Sequence, residues 1–129
     1  MNKFKLHTAM AVFLTATTLL AVNPSAVLAD TAAENYSLYC VQCHGSAGTG
    51  KGINAPFLSV QPRNHTSAKD MGALSDENIA KAIEGGGLAV GKSNQMPPWG
   101  GIFAKAEIAD LVKHLRGMCK CTYTPPPKK

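Results

Sequence analysis

Apolar residues recur at helical spacing in two segments of the chain. In "LSDENIAKAIEGGG", Ile79 and Ile83 are four residues apart and share one face of a helix. Ser75 is the N-cap candidate of this helix, and the glycine run 85–87 ends it. In "AEIADLVKHLRGM", an apolar stripe is formed by Ile108, Leu111, Val112 and Leu115. The pattern therefore predicts two amphipathic helices in the second half of the chain.

A third helix is predicted over residues 32–42. Asp30 and Thr31 are N-cap candidates, and Glu34 stands in or near the first turn, where a carboxylate is favourable. No segment shows the alternating pattern of a strand, and no internal repeat is present. The predicted fold class is all-α, with three main helices joined by long loops.

The segments between these helices are long and irregular. Residues 45–73 and 88–101 are rich in Gly, Pro, Ser and Asn and follow no sustained period. Loops of this length are unusual in a compact domain unless they serve a function. We therefore expect them to wrap around a cofactor.

Residues 1–29 are typical of a secretory signal peptide. Lys3 and Lys5 precede a short apolar run, and Val27 and Ala29 suit a signal-peptidase site. The alternative is a membrane anchor, but the apolar run is shorter than the ~20 residues that a span needs. Cleavage would leave 100 of the 129 residues, enough for one small domain.

Composition excludes little beyond nucleic-acid binding. The sequence has 13 basic and 8 acidic residues, and loss of two signal-peptide lysines leaves a net charge of +3. This mild balance, with no basic block or nucleic-acid motif, predicts no nucleic-acid partner. Export predicts a periplasmic protein without a permanent membrane anchor. We divide the chain into a signal peptide (1–29), one domain (30–118) and a Cys-containing, Pro/Lys-rich tail (119–129).

Cys40, Cys43 and His44 form a C-x-x-C-H motif. This spacing attaches haem covalently, because both thiols add to the haem vinyl groups and the histidine binds the iron. A redox-active dithiol is an alternative, although the strands of a thioredoxin-like fold are absent. Two further alternatives are a zinc site completed by Cys119 and Cys121 and a plain disulfide between Cys40 and Cys43. No histidine follows Cys121, so the motif predicts one haem c only.

The order of these features resembles that of class I c-type cytochromes. The resemblance covers residues 32–118: the haem motif near the mature N-terminus, a methionine before a Pro-rich turn, and a C-terminal helix. It implies the small cytochrome c fold around one haem. It also implies that Met96, in "SNQMPPWGG" and 52 residues after His44, is the second axial ligand of the iron.

Other residues remain candidates for the position opposite His44. Met71 and Met118 are more simply core or surface residues, because neither lies in a Pro-rich loop. His65 and His114 would give a bis-histidine iron instead. A histidine and a methionine together leave no site for a substrate on the iron, and the thioether raises the reduction potential.

The resemblance also implies a haem environment. Pro56, 12 residues after His44, matches the proline whose carbonyl accepts a hydrogen bond from the proximal histidine Nδ1–H. Trp99 and Arg63 are candidates to bind a haem propionate. The expected haem-wall residues are Phe57, Leu58 and Trp99.

Cys119 and Cys121 depart from the family pattern. A disulfide across two residues closes a small, strained ring, so free thiols, an intermolecular disulfide and a metal site stay open beside it. The sequence does not decide among these states.

Together, these features predict a soluble, monomeric periplasmic electron carrier rather than an enzyme. It would transfer single electrons between larger redox partners, such as an oxidase, reductase or dehydrogenase. Lys51, Lys92 and Lys105 are candidates to steer a brief encounter with them. The alternatives are a haem enzyme or gas sensor with an open sixth site, or a fixed subunit of an oxidase or dehydrogenase complex.

Overall fold

A computed structural model describes residues 31–126. The predicted signal peptide lies outside the described residues. Within 31–126 the chain forms helices and no strand, which confirms the all-α prediction. The α-helices are α1 (Ala32–Tyr39), α2 (Val41–His44), α3 (Ala68–Gly72), α4 (Asp76–Gly85) and α5 (Lys105–Cys119), with 3₁₀ helices at Ala55–Phe57 and Gly87–Val90. None of these helices is long and apolar enough to span a membrane.

The first predicted helix is present but divided. Thr31 caps α1: its hydroxyl accepts from Glu34 N–H, and the Glu34 carboxylate accepts from Thr31 N–H at 2.7 Å. The helix ends at Tyr39, and a new helical turn, α2, begins after Cys40. The predicted range 32–42 therefore contains two helices, with the first cysteine at the junction.

The core lies where α5 crosses α1 and α4. The apolar stripe predicted for α5 is buried, and each such side chain contributes about 1.5–3 kcal/mol to folding. The α4 residues Ile79 and Ile83 pack against it, as their shared face predicted. The other buried members of this core are Tyr36, Met71, Phe103 and Cys119. The three main helices thus form a scaffold that holds the intervening loops.

Arg116 joins α5 to the segment between α3 and α4. Its guanidinium donates to the backbone oxygens of Met71 and Leu74 and to the Asp76 carboxylate, from Nε, at 2.8 Å. The Arg116 side chain is only 13% exposed, so its bonds to the two carbonyls are shielded from water, whereas the Asp76 carboxylate is exposed. Arg116 therefore gives the Met71 carbonyl a donor in addition to Leu74 N–H, and it gives the Leu74 carbonyl a side-chain donor.

Arg116→Ala is expected to lower the free energy of unfolding by about 2–4 kcal/mol, because it removes the charged hydrogen bonds to the Met71 and Leu74 carbonyls. Lys113→Ala is the matched control on the same helix, since Lys113 pairs only with exposed Asp110, at 2.8 Å. Denaturant unfolding measures both variants. Equal stability of the two variants would contradict the assigned role of Arg116.

The cysteine pair at the end of α5 forms an intrachain disulfide. Cys119 and Cys121 are bonded to each other, with a Cα–Cα distance of 5.1 Å, within the range that disulfides require. Beyond it, Thr124 N–H donates to the Gly72 carbonyl oxygen at 2.8 Å, so the tail lies against α3. Of the states left open by the sequence, the structure has the small-ring disulfide.

Candidate functional site

The cysteine–histidine motif occupies a single helical turn. The Cys40 carbonyl oxygen accepts from Cys43 N–H at 3.2 Å and from His44 N–H at 2.9 Å. Residues three and four apart lie on the same face of such a turn. The three side chains therefore face one side, and all three line the same cavity.

This cavity has a volume of about 680 Å³, within the usual range for a site that binds an organic cofactor. The motif turn forms one part of its wall, and the Met96 loop and apolar residues of α4 and α5 form others. Four apolar side chains belong both to this wall and to the core: Ile79, Ile83, Leu111 and Leu115. The core scaffold thus shapes the cavity directly.

The loop that carries Met96 is fixed to the end of α4. The Met96 carbonyl oxygen accepts from Gly87 N–H at 2.9 Å, and Trp99 N–H donates to the Ile83 carbonyl oxygen at 3.0 Å. The second bond satisfies a C-terminal carbonyl of the helix. At Gly86, which has φ +72°, a Cβ would lie 2.7 Å from the Met96 carbonyl oxygen. The glycine run predicted to end the helix also lets this loop approach it.

Gly87→Ala is expected to displace the Met96 loop, because its Cβ would overlap the Ser93 carbonyl oxygen, a backbone atom. The loss of stability should exceed about 2 kcal/mol. Gly117→Ala is the matched control: no atom lies within 4 Å of its Cβ, and alanine favours the helix by about 0.5–1 kcal/mol. In thermal unfolding, the melting temperature should fall for Gly87→Ala and rise for Gly117→Ala. A fully stable Gly87→Ala protein would contradict the close approach.

His44 is oriented by a backbone hydrogen bond. Its Nδ1 lies 3.1 Å from the Arg63 carbonyl oxygen, which can only accept. Nδ1 therefore carries the proton, and Nε2 keeps its lone pair. Burial lowers the pKa of His44, although the bond to Arg63 opposes this shift. The neutral ring presents the nitrogen that a metal would bind.

The role predicted for Pro56 falls to another residue. Pro56 lies in the 3₁₀ helix Ala55–Phe57, is exposed, and is not part of the cavity wall. Pro62 packs closely over Gly50 in the loop after the motif, and the next residue, Arg63, presents its carbonyl oxygen to His44. The carbonyl acceptor is therefore Arg63, and the prediction of Pro56 was wrong.

Two of the three residues predicted for the haem wall line the cavity, and one does not. Leu58 and Trp99 line the cavity, but Phe57 is 83% exposed and does not. Tyr39, which no sequence pattern indicated, also lines the cavity and packs its ring edge-on against Trp99 at 5.4 Å between centroids. Phe103 completes this aromatic cluster, 5.2 Å from Tyr39. Such contacts hold Trp99 in place.

The two alternative histidine ligands are not placed opposite His44. The rings of His65 and His44 are stacked, with centroids 4.1 Å apart and planes inclined by 17°. Rings stacked face to face direct their in-plane lone pairs past each other, so one metal between them cannot take both. His114 is not part of the cavity wall and packs against Tyr36 instead. Burial, with smaller effects from His44, Arg63 and His114, lowers the pKa of His65 to about 3.

The three mature methionines occupy different environments. Met96 is half-buried in the cavity wall. Met71 also contributes to the wall, but only 1% of it is exposed and it packs within the core. Met118 is not in the wall, and its sulfur lies close to Gly48. These positions agree with the sequence assignment of Met71 and Met118 to packing.

The cysteines do not form the alternative sites. Cys40 and Cys43 are not bonded to each other, and the Cys119–Cys121 disulfide removes two of the proposed zinc ligands. Among residues 31–126, no group of three or more Cys, His, Asp or Glu side chains is arranged to hold a metal ion. Burial, and secondarily Cys43, raises the pKa of Cys40 to about 11, whereas redox-active thiols have a lowered pKa.

The candidate steering lysines are all exposed but not clustered at the cavity. Lys92 belongs to the cavity wall, together with Lys81, which was not among the predicted steering residues. Lys51 and Lys105 do not line it. Positive charge at the cavity wall is thus carried by Lys81, Lys92 and Arg63, the predicted propionate-binding candidate.

Comparison with known proteins agrees with this geometry. Residues 27–115 match the family model described as cytochrome c oxidase, cbb3-type, subunit III. The KustC0563 c-type cytochrome, a solved structure, superposes with a TM-score of 0.57 and 25% sequence identity. The match covers 69% of this chain and 98% of that one. No curated protein gave a significant match.

The family match covers more than half of the chain and includes the motif turn, the Met96 loop and most of α5. The structural match extends over nearly the whole of a protein that is itself a c-type cytochrome. The chain therefore belongs to the family of the cbb3-type cytochrome c oxidase subunit III and is a class I c-type cytochrome.

Proposed function

We propose that this protein carries single electrons between larger redox proteins through one covalently bound haem c. The observation that supports this most is the composition of one cavity wall. Cys40, Cys43 and a neutral His44 stand on one turn, and Met96 stands on a separate, fixed loop of the same cavity.

The residues present fit a haem. The cavity is mostly apolar, its volume suits a large flat cofactor, and its donor set has two thiols, one imidazole and one thioether. Cys40 and Cys43 would hold the group covalently, and His44 Nε2 and the Met96 sulfur would bind the iron. When bound, haem would supply an iron that gains or loses one electron between its ferric and ferrous states.

The protein side chains determine what that iron can do. With His44 and Met96 both bound, the iron has no position for a substrate, which favours a carrier over an enzyme or gas sensor. Leu111 and Leu115 exclude water from the wall, and apolar surroundings together with a thioether favour the reduced iron. Lys92 would attract the negative surface of a partner.

Redox titration of the purified holoprotein tests the carrier. We expect one reversible single-electron transition and a reduced spectrum that carbon monoxide does not change, because no site is open. Rapid binding of carbon monoxide by the wild-type protein would instead favour the haem enzyme or gas sensor.

A fixed subunit of a larger complex is the second candidate. The matched family model carries the description of an oxidase subunit. In addition, several large apolar side chains are exposed, among them Ile53 at 74% and Phe57 at 83%. Exposed apolar surface is a feature of protein interfaces. Native electrophoresis of a mild detergent extract, stained for haem, distinguishes a free carrier from a fixed subunit. A free carrier migrates near its own mass, whereas a subunit migrates with its complex.

Export to the periplasm, with cleavage after Ala29, belongs to the same proposal. The covalent haem attachment predicted from the motif requires an exported chain. Intact mass spectrometry of the purified protein should give a chain that begins at Asp30 and carries one haem. A retained N-terminal segment would contradict the proposed cleavage.

A further inference from the structure

Two buried residues outside the ligand set contact the ring of His44. The face of His65 covers the face of His44, with 4.1 Å between centroids. Tyr36 Oη lies 3.1 Å from His65 Nδ1 and 3.3 Å from the Gly45 carbonyl oxygen. Tyr36 and His65 are only 3% and 7% exposed, so water does not compete for these contacts.

The hydrogen bonds select one proton arrangement. A phenol has one proton, and the Gly45 carbonyl oxygen can only accept. Both contacts of Tyr36 Oη are hydrogen bonds when the phenol donates to Gly45 and accepts from His65 Nδ1–H. In this arrangement Tyr36 fixes the orientation of the His65 ring, and it links that ring to the residue next to His44.

His65 is also held by its backbone and neighbours. Its N–H donates to the Gly48 carbonyl oxygen at 2.6 Å, in the loop that follows the motif. Gly48 adopts φ +72°, a left-handed backbone conformation that glycine takes without strain. Tyr36 is fixed in turn by the His114 ring of α5, 5.3 Å away. The His65 ring therefore has little freedom to turn.

The bond from His44 Nδ1–H to Arg63 fixes only one direction in the plane of the imidazole. A ring held by one hydrogen bond can still rock about that bond. A rigid flat group against its face stops this motion. His65 supplies such a group, and an aliphatic side chain of similar volume would not match the face of the ring.

We propose that Tyr36 and His65 are positioning residues that set the plane of the His44 imidazole. The proposal rests on the proposed function, in which His44 binds the haem iron. The orientation of an axial imidazole controls the splitting of the iron d orbitals. It is therefore visible in the electron paramagnetic resonance g values and in the paramagnetic NMR shifts of the haem methyl groups.

The test compares ferric holoproteins of the wild type, Tyr36→Phe and His65→Leu. We expect His65→Leu to shift and broaden the g values and to change the spread of the haem methyl shifts. Tyr36→Phe, which removes one oxygen atom and keeps the ring, should change them in the same direction and less. The double variant should resemble His65→Leu, because Tyr36 acts through His65.

Ile108→Ala is the control, since Ile108 is buried in the core and is not part of the cavity wall. It should lower the melting temperature without moving the g values. Unchanged g values and methyl shifts in Tyr36→Phe and His65→Leu, with lowered stability, would overturn the positioning role. If His65→Leu does not mature, Tyr36→Phe alone decides between these outcomes. A wild-type spectrum without His/Met ligation would instead reject the proposed function, and this inference with it.

Discussion

Met96→Leu is expected to give a folded, haem-containing protein that has lost its sixth ligand. Leucine has a similar volume and remains apolar but offers no lone pair to the iron. The hydrogen bonds of the loop use backbone atoms, such as the Met96 carbonyl oxygen, so the loop itself should persist. The ferric iron should become high-spin, and the reduced iron should bind carbon monoxide. The potential should fall by on the order of 0.1 V or more, within the ~0.8 V range that axial ligands set.

Met71→Leu is the matched control for this variant. Met71 also lines the cavity but is buried in the core, so its replacement should affect packing alone. We expect a low-spin spectrum and a potential close to the wild-type value. If Met71→Leu lost the sixth ligand of the iron and Met96→Leu kept it, Met71 rather than Met96 would be the ligand.

Replacement of both Cys40 and Cys43 by alanine is expected to abolish covalent attachment of the haem. The cavity and His44 would remain, but haem would then be held only by its ligands and by packing. Denaturing electrophoresis with haem staining should give an unstained chain, and its mass should be that of the polypeptide alone. Each single variant should retain one bond and a weaker stain.

The double replacement of Cys119 and Cys121 by alanine provides the control for cysteine chemistry. These residues form the disulfide at the end of α5 and do not line the cavity. This variant should keep one covalently bound haem and lose only the stability that the disulfide gives. Loss of the stain here, or its survival without Cys40 and Cys43, would disprove the assigned attachment.

Local signals in the sequence were sufficient to predict the main helices. Ser75 caps α4 through a hydrogen bond from Asn78 N–H, and the helix ends at the predicted glycine run. The stripe on α5 is buried as its spacing requires. The division of the first helix at Cys40 was not predicted, because the helical pattern continues through the motif on both sides.

Contacts between distant loops could not be predicted from spacing. The acceptor for His44 is Arg63 rather than Pro56, because the path of the loop depends on how closely Pro62 packs over Gly50. His65 was a ligand candidate on its residue type alone. Its place against the face of His44 depends on a partner on α1, Tyr36, 29 residues away in sequence.

Phe57 shows the same limit for apolar residues. An aromatic side chain near the haem motif is a reasonable candidate for the wall, yet it lies on the outside of a short 3₁₀ helix. Tyr39 lies at the end of α1 and reaches the wall instead. Which of the two faces the cavity depends on the direction of the helix and turn, which residue type does not reveal.

The ferric absorption spectrum of the purified wild-type protein tests the central claim most directly. Coordination of iron by a methionine sulfur gives a weak charge-transfer band at the red edge of the visible spectrum. We predict that this band is present in the wild type and in Met71→Leu and absent in Met96→Leu. A wild-type spectrum that is high-spin and lacks the band would contradict the claim that His44 and Met96 together bind one haem iron.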